Sequence, residues 1–299
     1  MKLHKNYSAF FELLNDARVD WCLIKDYDFL MQKGYDNEID VVALGKDRRT
    51  IRRLARSLGW HESTLNAFNM HLIFFKFEGV VPYRIDIHLD RVLATAVPWF
   101  NAEDILRDKM KRGDLWIASP KWELGILLLS SFRGRHPKPH RLKRAKELEQ
   151  HLQDVFELFK GRMSEQEVLA HYFALINGKI VRLSKLKRIG VLGWLGQQWL
   201  NVLLFITRLF NPSPIIMLAT NDAIYGKKVR NQLLKTFAYA KMHVEVSSSI
   251  FSRCWKRIKT DAVIVEGSKQ SRSAFVLDSD EPVSNTVAEL IQTLYPEVR

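Results

Sequence analysis

Residues 21–44 read WCLIKDYDFLMQKGYDNEIDVVAL, and the two ends of this stretch decide how the chain is understood. Trp21 to Ile24 is a short apolar run of the kind a buried strand presents. Lys25 and Asp26 follow, then a short helical or looped segment, then a second strand in which Glu38 and Asp40 alternate with Ile39 and Val41. Side chains two apart on a strand point the same way. Glu38 and Asp40 therefore share one face, while Ile39 and Val41 enter the core. Two carboxylates held that close repel unless a cation sits between them. For a site of hard oxygen ligands the natural cation is Mg²⁺.

Residues 83–90, YRIDIHLD, show the same period, with Arg84, Asp86, His88 and Asp90 on one face and Ile85, Ile87 and Leu89 on the other. A strand here beside the first acidic strand offers Asp86 as a third carboxylate. That constellation meets the requirement of nucleotidyl transfer, in which metal ions clamp a triphosphate and stabilise the attacking and leaving oxygens. His88 shares the face as a general base or a metal neighbour, although such a histidine is more often a hydrogen-bonded structural residue. Acid–apolar–acid triplets also arise on half-exposed strands whose carboxylates are simply solvated. The second acidic strand, and Lys25 ahead of the pair, favour a site.

On these residues the chain resembles the bacterial nucleotidyltransferase-fold proteins, whose strand-borne carboxylates follow an acidic–hydrophobic–acidic pattern. Some of them carry an LIKG-like end to the first strand. Leu23-Ile24-Lys25-Asp26 is similar to that version, Glu38-Ile39-Asp40 to the paired acids and Asp86 to the third. The chain departs from the pattern in three ways: no Gly-Ser follows the first strand, Asp26 stands where the variant has Gly, and the first acid is Glu38. The resemblance covers roughly the first 130 residues. It implies an α+β nucleotidyltransferase-like domain using an NTP and Mg²⁺ or Mn²⁺. Glu38, Asp40 and Asp86 would hold the metal, Asp86 would complete that site or activate the acceptor hydroxyl, and Lys25 would contact the triphosphate. A sugar, a polysaccharide precursor, a protein or RNA could be the acceptor.

The chain has 299 residues, of which 47% are hydrophobic and 26% charged, enough for two ordinary domains with their own cores. A net charge of +13 and a pI near 9.7 point to polyanionic partners: nucleotides, nucleic acid or an anionic membrane surface. No recognition helix, RNP-like aromatic pair or zinc module supports sequence-specific nucleic-acid reading. Cys22 and Cys254 form neither a disulfide framework nor a zinc knuckle, so a reducing cytoplasm is the simplest setting. The opening MKLHKNYSAFFELLND is amphipathic and acid-containing and does not read as a signal peptide.

Taken in order, Tyr7 to Ala17 reads as a helix, and Gly45 to Leu58 as an amphipathic helix whose arginines form a solvated face more readily than a phosphate contact. His71 to Phe77 and Tyr83 to Leu89 read as a hairpin turning through Glu78, Gly79 and Pro82. From Ala102 the character is helical, with Ser119 as N-cap and Pro120 at the first helical position of one helix. Arg133 to Arg144, RGRHPKPHRLKR, reads as a basic loop, a contact for an anionic substrate or a solubilising connection. His136 and His140 within it make a weak metal pair. Further helices, Leu148 to Phe159 and Val168 to Ile176, complete a first domain over residues 1–175.

Residues 176–212 form a basic and apolar linker. Within it, 179–210 suit burial, partner contact or a helix lying on an anionic membrane, but not a span. Residues 213–299 alternate short apolar strands with helices, the βαβ pattern of a small parallel sheet. This part looks like a shortened relative of thymidylate-kinase-type P-loop proteins. Its loop keeps Gly226 and Lys227 of the phosphate-binding motif, with Asn221 in place of the first Gly and Lys228 in place of Ser/Thr. The expectation is therefore an α/β protein: an α+β nucleotidyltransferase-like domain with a helical extension, then a degenerate P-loop kinase-like domain. The preferred function is metal-dependent nucleotidyl transfer in the cytoplasm. The alternatives are a non-catalytic adaptor that kept both folds, and a kinase acting through Lys227.

Overall fold

The computed structural model describes residues 3–34, 36, 38–63, 71–94, 97–131, 137–179, 215–219, 222–239, 244–246, 262–267, 275–276 and 281–295. Most of the linker, together with His136 and Cys254, lies outside the described residues. In chain order, helix α1 (Lys5–Asp16) is followed by strand β1 (Trp21–Leu23), helix α2 (Tyr27–Lys33), strand β2 (Ile39–Ala43) and helix α3 (Arg48–Ser57). Strands β3 (His61–Glu62), β4 (His71–Glu78), β5 (Val81–Leu89), β6 (Arg91–Ala94) and β7 (Val97–Asn101) come next. Helix α4 (Ala102–Arg107), strands β8 (Met110–Arg112) and β9 (Leu115–Ile117), and helices α5 (Pro120–Ser131), α6 (Pro139–Glu147), α7 (Leu152–Phe159) and α8 (Glu165–Ile176) follow. The C-terminal part holds β10 (Ile215–Ala219), α9 (Ala223–Tyr239), β11 (Val244–Val246), β12 (Ala262–Gly267), β13 (Phe275–Val276) and α10 (Val283–Leu294). The chain is thus mixed α/β. It divides into two compact units, Met1–Ile51 with Asp86–Gln197 and Arg52–Ile85 with Gln198–Arg299.

In the first unit the sheet order is the Asp86–Leu89 part of β5, then β2, β1, β9 and β8. Strand β1 runs antiparallel to β2, with Leu23 opposite Val41, and parallel to β9, with Leu23 opposite Ile117. The two acidic strands are neighbours, as their shared period suggests. Every residue of β2 is buried, and in Asp86–Leu89 only Asp86 is partly exposed. Neither strand has a solvated face, so the reading of these acids as surface charge does not hold for Asp40. The core beneath is built around α5, whose PKWELGILLLSS sequence is buried on nearly all sides. Its residues Leu124, Leu127 and Leu128 pack with Val155 and Phe159 of α7 and with Val168, Tyr172 and Leu175 of α8. Each such side chain contributes about 1.5–3 kcal/mol by leaving water.

Two expectations change here. Pro120 does open α5, but the Ser119 hydroxyl makes no cap: it is buried and has no hydrogen-bond partner among the described residues. The basic segment is helical from Pro139 onward, where α6 starts, and only the described residues before it, Pro137 and Lys138, are irregular. Proline at the first helical position loses no hydrogen bond, since that N–H has no partner within the helix.

In the second unit β3, β4 and the Val81–Ile85 part of β5 are neighbours, and Gly79 turns the chain between β4 and β5 at φ 60°. The C-terminal strands form the expected parallel sheet, in the order β11-β12-β10-β13. Tyr225, Val229, Leu233 and Phe237 form one stripe of α9. They meet Val287, Leu290 and Ile291 of α10 together with Phe75 and Phe77 of β4. Spacing by four puts these α9 residues on one helix face. In the same unit Arg52 of α3 makes a forked pair with Glu62, Nε lying 3.0 and 2.9 Å from its two oxygens, so at least this arginine serves structure.

Candidate metal centre

Glu38 immediately precedes β2, Asp40 lies within it, and Asp86 lies on the neighbouring β5. Ligand oxygens of all three fall within 4.8 Å of one another. Glu38 and Asp86 are half-buried, and Asp40 is 4% exposed. The sheet brings them together because β2 and β5 are adjacent. An oxygen-only donor set of this kind suits Mg²⁺ or Mn²⁺ better than a softer metal. One atom fits that reading directly: Oδ2 of Asp40 is buried and has no hydrogen-bond partner among the described residues.

Lys25 follows β1 and places Nζ 2.8 Å from Asp40 Oδ1. The backbone fixes this approach, since the Ile24 N–H donates to the Asp40 carbonyl at 3.1 Å. His88 Nε2 lies 3.8 Å from the same Asp40 oxygen, and His88 is 2% exposed. Burial alone would raise the Asp40 pKa, but the Lys25 charge and the His88 contact outweigh it and hold the carboxyl well below the usual range. Burial pushes Lys25 the other way, below the usual lysine range, against the pull of Asp40. The geometry thus puts Lys25 on the carboxylate itself.

Asp26 explains what the sequence left as a departure. It sits at φ 61° and ψ 15°, the left-handed region that favours Gly and tolerates Asp better than most residues. Its carboxylate is gripped by α6: Arg141 Nε lies 2.9 and 3.0 Å from the two oxygens, Arg141 Nη2 also bonds Oδ2, and His140 Nε2 is at 3.2 Å. The His140 ring stacks on Phe29 with centroids 4.0 Å apart. Three residues further, Arg144 forks onto the buried Glu123 with Nη2 at 2.8 Å and reaches Asp28 at 3.1 Å. His140 is therefore an ion-pair partner rather than half of a metal pair. A cavity of about 510 Å³ opens beside this lattice, lined by Asp26, Phe29, His140 and Arg144 among others.

Sequence reasoning missed Arg141, whose only local signal is the Pro139 start that puts Arg141 and Arg144 one turn apart. Burial acts to raise the Asp26 pKa, yet His140 and Arg141 hold this carboxyl far below its usual value.

Gly226 and Lys227 are placed differently from the expected loop. Helix α9 begins at Ala223, with the Asp222 carboxylate accepting from the N–H groups of Ile224 at 2.8 Å and Tyr225 at 3.0 Å. The Gly226 N–H donates to the Asp222 carbonyl at 2.9 Å inside the helix, and Lys227 is exposed. A carboxylate already stands where an anion would meet the helix N-terminus. No helix among the described residues is long and apolar enough to cross a membrane.

No family model matches the chain, and no curated protein matches it. A solution structure of the antibiotic-resistance factor ANT(2'')-Ia aligns with a TM-score of 0.39 and 9% identity, over 57% of this chain and 94% of that one. At this TM-score the likeness carries no argument about chemistry.

Proposed function

We propose that this chain moves a nucleoside monophosphate from an NTP to an acceptor hydroxyl, with Mg²⁺ or Mn²⁺ at Glu38, Asp40 and Asp86. The observation that supports it is the convergence of three carboxylates, with one ligand oxygen from each within 4.8 Å of the others, where Asp40 also keeps a buried oxygen that has no hydrogen-bond partner among the described residues. A bound ion would supply charge stabilisation to the phosphoryl oxygens and the departing pyrophosphate. The acceptor oxygen bonds the α-phosphorus as the bond to the β-phosphate oxygen breaks. Asp86 takes the hydroxyl proton. Glu38, Asp40 and Asp86 would hold the cation, and Lys25 would add a positive charge beside the triphosphate. By the resemblance above, acceptors of the sugar or polysaccharide-precursor class come first for screening.

A second reading, a non-catalytic adaptor, draws on the 2.8 Å Lys25–Asp40 pair, which already neutralises one carboxylate. Thermal unfolding with each NTP, with and without Mg²⁺ or Mn²⁺, separates the two. A ligand that binds the native state raises its apparent stability by mass action. Nucleotidyl transfer requires a metal-dependent shift that Asp86→Asn and Asp40→Asn abolish, each measured against its own baseline, and that Lys227→Ala leaves intact. No shift with any nucleotide sinks the enzymatic reading and leaves the adaptor.

A further inference from the structure

Lys25 occupies one of the two oxygens of Asp40, the most buried of the three carboxylates. We infer that this site takes a single divalent cation, with the Lys25 ammonium as its fixed second positive charge. The inference rests on the metal reading above and adds the number of ions and the reason for it. In two-metal sites the ions lie about 3.5–4 Å apart on either side of the reacting centre. A carboxylate shared between such ions gives one oxygen to each. Asp40 is the most buried of the three acids, and its Oδ1 is committed to Lys25 Nζ at 2.8 Å. Only Oδ2 remains, and it has no hydrogen-bond partner among the described residues. One open oxygen receives one ion.

The ammonium is held in that place from both sides. Lys25 is 9% exposed, so swinging out to water would require the surrounding core to open. On its N-terminal side the Ile24 N–H is bonded to the Asp40 carbonyl at 3.1 Å. On its C-terminal side Asp26 is fixed by the Arg141 fork, with Nε at 2.9 and 3.0 Å.

Electron paramagnetic resonance of Mn²⁺ on the full chain tests this, without nucleotide and with an ATP analogue whose α,β bridge cannot be cleaved. The wild-type protein should bind one Mn²⁺ with an uncoupled six-line spectrum in both conditions. Lys25→Met should free Oδ1, tighten Mn²⁺ binding by at least about tenfold through loss of a like charge, and give the spin-coupled spectrum of an ion pair. A coupled pair in the wild type overturns the one-ion inference while leaving the metal reading standing. No bound Mn²⁺ in the wild type removes both. One uncoupled ion in a folded Lys25→Met, at unchanged affinity, shows that Lys25 is not the second cation. Should Lys25→Met fail to fold, Lys25→Arg, which keeps the charge, must still bind one ion, and a coupled pair there overturns the inference.

Discussion

Replacing Asp26 by Asn removes one charge from the lattice that fixes Lys25 and changes little else. Asn tolerates the left-handed conformation that Asp26 holds at φ 61°, and its amide oxygen still accepts one bond from Arg141. What is lost is the neutralisation of an Arg141 side chain that is only 14% exposed. Breaking a buried pair by removing one partner costs about 3–5 kcal/mol, because the surviving charge stays desolvated. The retained amide bond puts Asp26→Asn at the lower end, about 3 kcal/mol. Urea unfolding of the full chain at neutral pH should therefore show a lower midpoint at unchanged slope. Replacing Arg141 by Met as well should recover part of the loss, since no stranded charge then remains.

The pH dependence fixes the sign of this effect. The folded Asp26 carboxyl titrates below its unfolded value, so its contribution is complete above about pH 4 and fades as the pH falls toward the folded value. The gap between wild type and variant should be flat from about pH 5 to 8 and should close in stronger acid. A gap under about 0.5 kcal/mol at neutral pH, the size of an ordinary surface change, would refute the reasoning, as would a gap that widens on acidification.

Other outcomes follow from single contacts. At Gly45 a methyl group would lie 2.1 Å from Asp90 Oδ2 and would break the 2.7 Å bond from the Gly45 N–H, so Gly45→Ala should cost about 1–3 kcal/mol, less in an Asp90→Ala background, by thermal unfolding. Cys22 is buried with its thiol pushed up to about 12, and peptide mapping after iodoacetamide treatment should find it unlabelled in the native protein and labelled in urea. Ser164 and Glu167 form a reciprocal capping box at the start of α8, and Ser164→Ala should lower stability by about 1 kcal/mol in urea melts. Asp222→Ala should cost about 1 kcal/mol by loss of the α9 cap, whereas Asp222→Asn should be nearly neutral.

What the sequence determined by itself was whatever depends on near neighbours. The period of two in residues 38–41 and 83–90 put Glu38 with Asp40, and Asp86 with His88, because strand geometry alternates faces whatever surrounds it. Short apolar runs separated by helical stretches likewise foretold the parallel C-terminal sheet. Strands β8 and β9, three residues each, escaped notice because so short a run shows no period.

Tertiary structure decided the charges. Whether Asp40 faces water or a core, and that Lys25 closes on it, depends on β2 being covered on both faces, which its alternating acids argued against. Arg141 meets Asp26 across 115 positions, and no spacing rule reaches that far. The Arg133–Arg144 run looked like a loop because its charges had no visible partners. Asp26, Asp28 and Glu123 supply them only once α2, α5, α6 and the loop after β1 are packed together, and desolvation then makes those pairs matter.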